Sequence, residues 1–474
     1  MLKNDSYFDK IKTTLIRDRC NIRLMSIAYI IGLGRSGIAA ARVLKTDGWE
    51  VVLSDRADSL PLQQTRQILE QEGITVKLGH ELTLMVANPP DLIVVSPGIS
   101  LDIPFLIEAR AHGIDVIGEL ELAWRYLYRF PWVGITGTNG KTTTTALTAS
   151  IFQTSGLNAP SCGNIGHAAC ELVRSSEKFD WIIAEVSSYQ GESLKKLAPQ
   201  IGIWTTFTAD HLDRHKTLDN YYAIKASILH RCEYQILNGD DPYLHQVGLH
   251  QWADAYWTTT KGKDHLLCNP SKGIYIQDNW IVAFGELIAP LNLFKMVGFH
   301  NQQNLLMAVG AARLAGIKKD VIAQSISEFK GVPHRLELIC NVRGIDFIND
   351  SKATNYDAAE VGLVSVKSPV ILIAGGKVKE GDNDRWIKQI KKRVSTVLLI
   401  GEAAEIFSQE LKKSGYETYE IVETLENAVK LGLELGQKQK VKVVLFSPAC
   451  ASFDQYQSFE HRGDHFRQLC QELS

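Results

Sequence analysis

From Ile27 onward, short apolar runs recur along the chain, each closed by glycine or polar residues and followed by a stretch of helical period. In residues 26 to about 128 the runs Ile27–Ile31, Val51–Ser54, Leu92–Val95 and Val116–Ile117 alternate with helical segments that begin with Ile38–Lys45. That alternation predicts a parallel α/β domain. A second α/β block, from about 129 to 331, carries strands at Trp132–Ile135, Trp181–Val186 and Ile201–Thr206 and helices at Ala146–Phe152, Tyr221–Leu229 and Leu305–Leu314. Around 244–297 the pattern turns irregular and β-like, as in Gly273–Gln277 and Trp280–Phe284. A third block, from about 332, spaces the strands Val370–Ala374, Val397–Ile400 and Val443–Phe446 with helical stretches, a doubly wound sheet. The predicted architecture is therefore three α/β units in series, the third a doubly wound sheet. Ligand sites belong at the carboxyl ends of the strands, in crevices between domains.

A chain of 474 residues is long enough for two or three domains, each with its own core. Its 45% hydrophobic and 22% charged residues are those of a soluble globular protein. A formal net charge of -2 leaves no basic field for nucleic acid or an anionic membrane, so an anionic ligand must be small. The eight cysteines are scattered without C-x-x-C spacing, which argues against a zinc cluster or disulfide framework and for a reducing cytosol. No apolar run reaches the roughly 20 residues of a membrane span, and the N-terminus lacks a signal-peptide core. Residues 1–24 read as an appendage. Either the start lies at Met25, or Tyr7, Phe8, Ile11, Leu15 and Ile16 line one face of a short docked helix.

Gly134-Ile-Thr-Gly137-Thr138-Asn139-Gly140-Lys141-Thr142-Thr143 carries the strongest chemistry. Between a strand and a helix, such a loop offers unpaired N–H groups, the positive end of the helix dipole, close backbone approach at glycine, the Lys141 charge and a Thr142 hydroxyl for magnesium. It is a variant phosphate loop, with Ile135 where the strict pattern has glycine. Gly32-Leu-Gly34-Arg35-Ser36-Gly37, with Asp55 at the next strand end, is the mononucleotide-binding arrangement, and alone it suggests a nicotinamide dehydrogenase. Glu185 ends its strand as a candidate magnesium ligand. The cluster Thr208–His215 follows the strand Ile201–Thr206; there His211 could ligate a cation, and Asp213 and Arg214 could pair. Lys225 reads as an ordinary helix lysine. Gly298–Asn304 opens a helix whose amides suit adenine or ribose, and Arg335 could clamp a γ-phosphate. Asp350–Asn355 and Ser447–Asp454 each follow a strand and would line one sheet edge, suited to an amino acid's carboxylates.

These motifs, in this order, resemble the Mur ligases, the ATP-dependent amide-forming enzymes that build the peptidoglycan peptide. The combination is Gly-Thr-Asn-Gly-Lys-Thr, Glu-Val-Ser-Ser-Tyr-Gln, Asp-His-Leu-Asp-Arg, Gly-x-His-Asn-x-x-Asn, His-Arg-Leu-Glu and Asn-Asp-Ser-Lys-Ala-Thr-Asn. Asp350–Asn355 and Ser447–Asp464 resemble the branch that adds D-glutamate, and the similarity covers essentially everything after residue 25.

The resemblance implies a cytoplasmic enzyme acting on UDP-N-acetylmuramoyl-L-alanine and D-glutamate, a monomer that neither inserts in membranes nor binds nucleic acid. It implies a three-domain α/β fold: a Rossmann-like UDP-substrate domain at 25–128, a central P-loop-type ATPase domain at 129–331 and a C-terminal doubly wound amino-acid domain at 332–474. Arg35, Ser36, Asp55 and Arg56 would surround the uracil, overruling the dinucleotide reading, with Asn164, Ser187 and His211 along the rest of that substrate. Gly137–Thr143, Asn304, Arg335 and Asp350 would hold ATP. Thr142 and Glu185 would hold one magnesium, and His211 with a carbamylated Lys225 a second. Lys352, Thr354, Ser452 and Phe459 would meet D-glutamate with a lysine from Gly375–Glu380, where Lys379 aligns better than Lys377 by spacing. Lys141, Lys225, His211 and Lys352 would be the catalytic set. Competing readings are a sibling ligase with another amine substrate, a dehydrogenase fused to an ATPase, and an inactive binding protein.

Overall fold

The structure, a computed structural model, describes residues 26–473 apart from 81, 85–87, 297 and 379–380; the extension 1–24 and Lys379 lie outside the described residues. The chain forms two compact units. One takes the chain up to Arg129 with Cys162–Glu177 and Ser187–Leu197; the other takes Phe130–Ser161, Lys178–Val186 and everything from Ala198.

The first unit is built on five parallel strands, β1 (Ile27–Ile31), β2 (Glu50–Asp55), β3 (Thr75–Leu78), β4 (Leu92–Val95) and β5 (Asp115–Gly118), in the order β3-β2-β1-β4-β5. Strands covered on both faces read as unbroken apolar runs, which is why β1, β2 and β4 are legible. β3 is an edge strand with one buried face, and its alternating Thr-Val-Lys-Leu hides it. The order reverses between β1 and β4, where Gly32 turns with φ 99° into the helix Arg35–Thr46. A Cβ there would lie 2.7 Å from Ser96 Oγ, so the turn requires glycine.

The second unit holds two sheets. The larger contains β6 (Trp132–Thr136), β7 (Ser161–Gly163), β8 (Ile182–Glu185), β9 (Ile201–Trp204), β10 (Tyr234–Asn238), β11 (Tyr256–Thr259), β12 (Gly273–Gln277), β13 (Trp280–Ala283) and β14 (Glu286–Pro290). Its order is β14-β13-β12-β11-β10-β9-β6-β8-β7, with β12–β14 paired antiparallel. The helices Lys141–Thr154 and Phe299–Leu314 pack on it through Leu147, Ile151, Phe152, Leu305 and Val309. Part of the segment expected to be irregular is instead a helix, Pro242–Gln251. Asp241 caps it by accepting the Tyr243 and Leu244 N–H groups, and Pro242 supplies a preset φ at its first turn.

The smaller sheet contains β15 (Glu337–Val342), β16 (Ile345–Asn349), β17 (Val370–Gly375), β18 (Val394–Ile400), β19 (Tyr419–Glu423) and β20 (Val443–Phe446), in the order β15-β16-β20-β17-β18-β19. All pairs are parallel except β15 with β16. Asn349 lies opposite Phe446, so the segments that begin with Asp350 and Ser447 leave the sheet side by side, as the sequence predicts.

Candidate active site

The phosphate loop leaves β6 between two neighbours that matter. Ile135 is in register with Glu185 at the end of β8, and Thr136 with Trp204 at the end of β9. The switch in strand order therefore places Glu185, the loop and Thr205–Thr208 together at carboxyl ends. Thr205 Oγ1 donates to the Asn139 carbonyl at 2.5 Å, Thr206 Oγ1 accepts the Asn139 N–H at 2.9 Å, and the Thr138 hydroxyl closes a second bracket, donating to the Thr208 carbonyl at 3.0 Å and accepting the Thr208 N–H at 3.1 Å. Gly137 (φ 146°) and Gly140 (φ 84°) take conformations that L side chains avoid, and a Cβ on them would overlap Thr205 Oγ1 and Asn304 Oδ1. Gly140 then caps the helix Lys141–Thr154, leaving its first N–H groups directed at the loop mouth.

Lys141 curls back, donating to the Gly137 and Thr138 carbonyls at 2.9 and 2.7 Å. Burial lowers its pKa, against the raising fields of Glu185 and Asp210. Lys225 is not the solvated helix lysine its local sequence suggests. It is 1% exposed, donates to the Gly137 carbonyl at 2.9 Å and stands 4.6 Å over the Tyr221 ring. Burial, then the Lys141 charge, pushes its pKa well down. A neutral buried amine is a nucleophile that can take up carbon dioxide as a carbamate, which the ammonium cannot. His211, half-exposed at φ 55°, has Nε2 3.4 Å from Asp210 Oδ2.

From the third sheet, Lys352 reaches the loop: its Nζ donates to Thr142 Oγ1 at 2.7 Å and sits 5.2 Å over the Phe459 ring. Burial lowers the Lys352 pKa to about 8, with Glu185 opposing and Arg335 and Lys141 adding to the shift. Asp350 is buried; its carboxylate accepts the Ser447 hydroxyl at 2.7 Å and the Leu336 N–H at 3.3 Å. Burial raises it to about 7 despite the Ser447 hydrogen bond and the Arg335 charge. A cavity of about 200 Å³ is lined by Asn139, Gly140, His300, Asn304, Arg335, Asp350 and Lys352 among others. In that lining, Asn304 Oδ1 accepts from Thr144 at 3.2 Å while its buried Nδ2 has no partner among the described residues, and burial lowers His300 to about 4. The cavity thus has donors, acceptors and a cation suited to a nucleotide.

Ser452 is buried one residue past Ala451, whose carbonyl accepts the Lys377 N–H at 2.9 Å. Lys377 is thereby beside Ser452 in the fold. Thr354 is half-buried, its N–H on the Lys352 carbonyl. In the first unit, Asp55 spends both oxygens on backbone, accepting from Leu33 N at 2.8 Å and Ala57 N at 2.9 Å. It orders the turn that carries Arg35 and Ser36, and Arg56 lies beside it on the surface. Asn164 is exposed between Gly163 and Gly166, both of positive φ, and Ser187 caps the short helix Ser188–Gly191.

Sequence reasoning passed over several residues here. Asp210 carries no role of its own within the cluster Thr208–His215, yet its field reaches Lys141 and Lys225. Thr205 and Thr206 could have been found as hydroxyls ending a strand beside the loop. Arg462 had no signal: it is a buried helix arginine donating to Ser351 Oγ and to the Ser351, Cys450 and Ala451 carbonyls, which ties the two strand-end segments together.

Magnesium wants oxygen donors, several of them from water and phosphate. The Thr142 hydroxyl already accepts from a cation, Glu185 is buried alongside, and among the described residues no group of three or more His, Cys, Asp or Glu side chains could hold a metal. A mixed set of hydroxyl, carboxylate and phosphate oxygens fits this pattern.

Comparison with known proteins covers all three blocks. Residues 26–118 match the Mur ligase MurD-like N-terminal domain, 135–312 the Mur ligase middle domain, and 334–450 the Mur ligase glutamate ligase domain. A UDP-N-acetylmuramoylalanine--D-glutamate ligase of Rippkaea orientalis is 77% identical, over 95% of this chain and 100% of its own length. One from a Synechocystis species is 62% identical, over 94% of this chain and 99% of that protein. Among solved structures, the UDP-N-acetylmuramate-alanine ligase MurC of Thermotoga maritima aligns with a TM-score of 0.57 at 19% identity, covering 95% of this chain and 100% of the other, which is a likeness of fold.

Proposed function

The chain belongs to the Mur ligase family, and on that premise we propose that it joins D-glutamate to UDP-N-acetylmuramoyl-L-alanine at the expense of ATP, a step of peptidoglycan precursor synthesis. The observation that carries this reading is the hydrogen bond from Lys352 to Thr142, because it sets the amino-acid end of the third sheet on the phosphate loop. The choice of D-glutamate rests on the relatives, 77% and 71% identical over their whole length.

A carboxylate is a poor acyl donor. Its oxygen attacks the γ-phosphorus of ATP, ADP leaves, and the acyl phosphate then accepts the amine of D-glutamate through a tetrahedral intermediate that expels phosphate. In this reading the loop amides from Gly137 to Thr143 cradle the phosphates, and Lys141 swings from the Gly137 and Thr138 carbonyls onto them. Asn304 and Asp350 face the nucleoside, and Arg335 faces the transferred phosphoryl group. Thr142 and Glu185 would hold one Mg²⁺, and His211 with a carbamylated Lys225 a second. Those ions would neutralise charge on the phosphate oxygens. Burial supports the carbamate, since it disfavours the charged ammonium of Lys225.

Lys352, held between Thr142 and the Phe459 face, is positioned to stabilise the oxyanion and to meet D-glutamate with Thr354, Ser452 and Lys377 or Lys379. In the first unit, Arg35, Ser36, Asp55, Arg56, Asn164 and Ser187 would bind the UDP-linked substrate, Asp55 by ordering the loop. We assign residues 25–128, 129–331 and 332–474 to substrate, ATP and amino acid. No helix among the described residues is long and apolar enough to cross a membrane, and a cytoplasmic monomer is consistent with nucleotide substrates.

The test is ATP-dependent phosphate release with UDP-N-acetylmuramoyl-L-alanine, comparing D-glutamate with L-glutamate, L-alanine and no amine. Release with D-glutamate alone supports the proposal. Release with another amine moves the specificity, and silence with all refutes a ligase.

A further inference from the structure

One buried carboxylate lies outside everything described so far. Glu121, in the helix Glu119–Leu127 that follows β5, is 0% exposed. Its Oε2 accepts the Lys195, Lys196 and Leu197 N–H groups, each at 3.0 Å, and its Oε1 accepts Lys196 N–H at 2.9 Å. Three consecutive backbone donors converging on one carboxylate form an anion nest built from the protein's own chain. The charge tolerates burial because these donors, with the Arg125 guanidinium 3.5 Å away, replace its water.

The donors end the connector Ser187–Leu197 between β8 and β9. A second tie lies beside the first, from Gly118 N–H to the Ser193 carbonyl at 3.3 Å. From there the bonds run back without a gap. Ser193 N–H and Oγ donate to the Gln190 carbonyl, Gln190 N–H donates to Ser187 Oγ, and Gln190 Oε1 accepts both the Ser187 N–H and hydroxyl at 3.0 Å. The orientation of Ser187 is thus fixed through a relay that starts at Glu121. Within the connector, only Leu194 and Leu197 are buried hydrophobic anchors, so polar ties carry much of its placement.

We infer that Glu121 is a positioning residue for the UDP-linked substrate, holding the β8–β9 connector so that Ser187 is presented to it. This rests on the reading that Ser187 contacts that substrate. Glu121→Gln keeps the shape but turns an amide N–H₂ toward backbone donors. KM for UDP-N-acetylmuramoyl-L-alanine should rise about tenfold, the scale of one buried donor left without an acceptor. KM for ATP and for D-glutamate should stay unchanged, and Glu121→Asp should recover part of the loss. A role in folding alone would lower the melting temperature and the active fraction and leave every KM where it was.

Should Glu121→Gln fail to fold, Gly118→Ala carries the same test, since its Cβ would press on Ser193 Oγ and displace the connector from the other tie. An unchanged KM for the UDP-linked substrate in the folded variants overturns the inference. Ser187→Ala in the same assay separates the two levels. If it raises that KM while Glu121→Gln does not, Glu121 has no such role; if it too is silent, the assignment of Ser187 itself is wrong.

Discussion

The Lys352 ammonium donates to the Thr142 hydroxyl at 2.7 Å across 210 positions of sequence. Thr142 is the loop residue whose hydroxyl suits a magnesium ion, and Lys352 leaves the third sheet beside Asp350 and Ser447. A protein cation therefore sits on an oxygen that phosphate chemistry would use, with the Phe459 ring at its back. The consequences of that placement are electrostatic and can be measured.

Burial brings Lys352 to about 8, so its charge is present well below that pH and lost as pH rises through it. The pH profile of kcat/KM for D-glutamate, which reports groups of the free enzyme, should fall on an alkaline limb near 8. Lys352→Arg keeps a cation and should move that limb upward. Lys352→Ala should cost about 10²–10³ in kcat, the usual scale for one preorganised charge aimed at an oxyanion. An alkaline limb unchanged in Lys352→Arg would assign it to another group.

On the carbamate proposal, Lys225→Ala should reduce turnover by at least about 10², because the variant would lose a charged oxygen ligand at the phosphate end. A short carboxylate such as acetate, entering the space left by the side chain, should restore part of it. Wild-type enzyme held in carbon-dioxide-depleted buffer should lose activity and regain it with bicarbonate. Full activity of Lys225→Ala without additive would remove the carbamate from the mechanism.

Gly140→Ala tests the loop geometry. At φ 84° an L side chain costs roughly 1–2 kcal/mol, and the new Cβ would press on Asn304 Oδ1. The variant should melt earlier, and KM for ATP should rise about tenfold or more as Asn304 and the loop are pushed apart. A normal KM for ATP would mean that the loop relaxes without loss.

Much of this is legible in the sequence. Strands buried on both faces, such as β1, β6, β17 and β20, announce themselves as apolar runs, and the motif at Gly137–Thr143 dictates its own loop. The edge strands are harder to read: β3 alternates, and β19, with two glutamates and no buried residue, offers no apolar run. The burial of Lys225 is not legible in the helix Leu218–Leu229 alone: Tyr221 sits one turn earlier on the same helix, but the Gly137 carbonyl that the amine meets comes from the loop after β6. Arg462 is hidden for the same reason: its acceptors lie on two segments brought together only by the pairing of β16 with β20.

Asp350 gives the last prediction. Burial raises its pKa from 3.8 to about 7, against the Ser447 hydrogen bond and the Arg335 charge. A raised folded-state pKa contributes stability that is fully present below 3.8 and lost as pH rises through about 7, since over that window the folded state binds more protons than the unfolded. Asp350→Asn stays neutral, and its amide can still accept the Leu336 N–H and meet the Ser447 hydroxyl. At pH 8 the variant should melt above wild type, by on the order of 5 °C, and the gap should close toward pH 4. Turnover should fall by about tenfold or more, because the carboxylate that is costly to bury is the one we assign to the nucleotide site. Equal melting temperatures at pH 8 would show instead that Arg335 and Ser447 offset the burial in full, leaving Asp350 an ordinary ionised carboxylate at neutral pH.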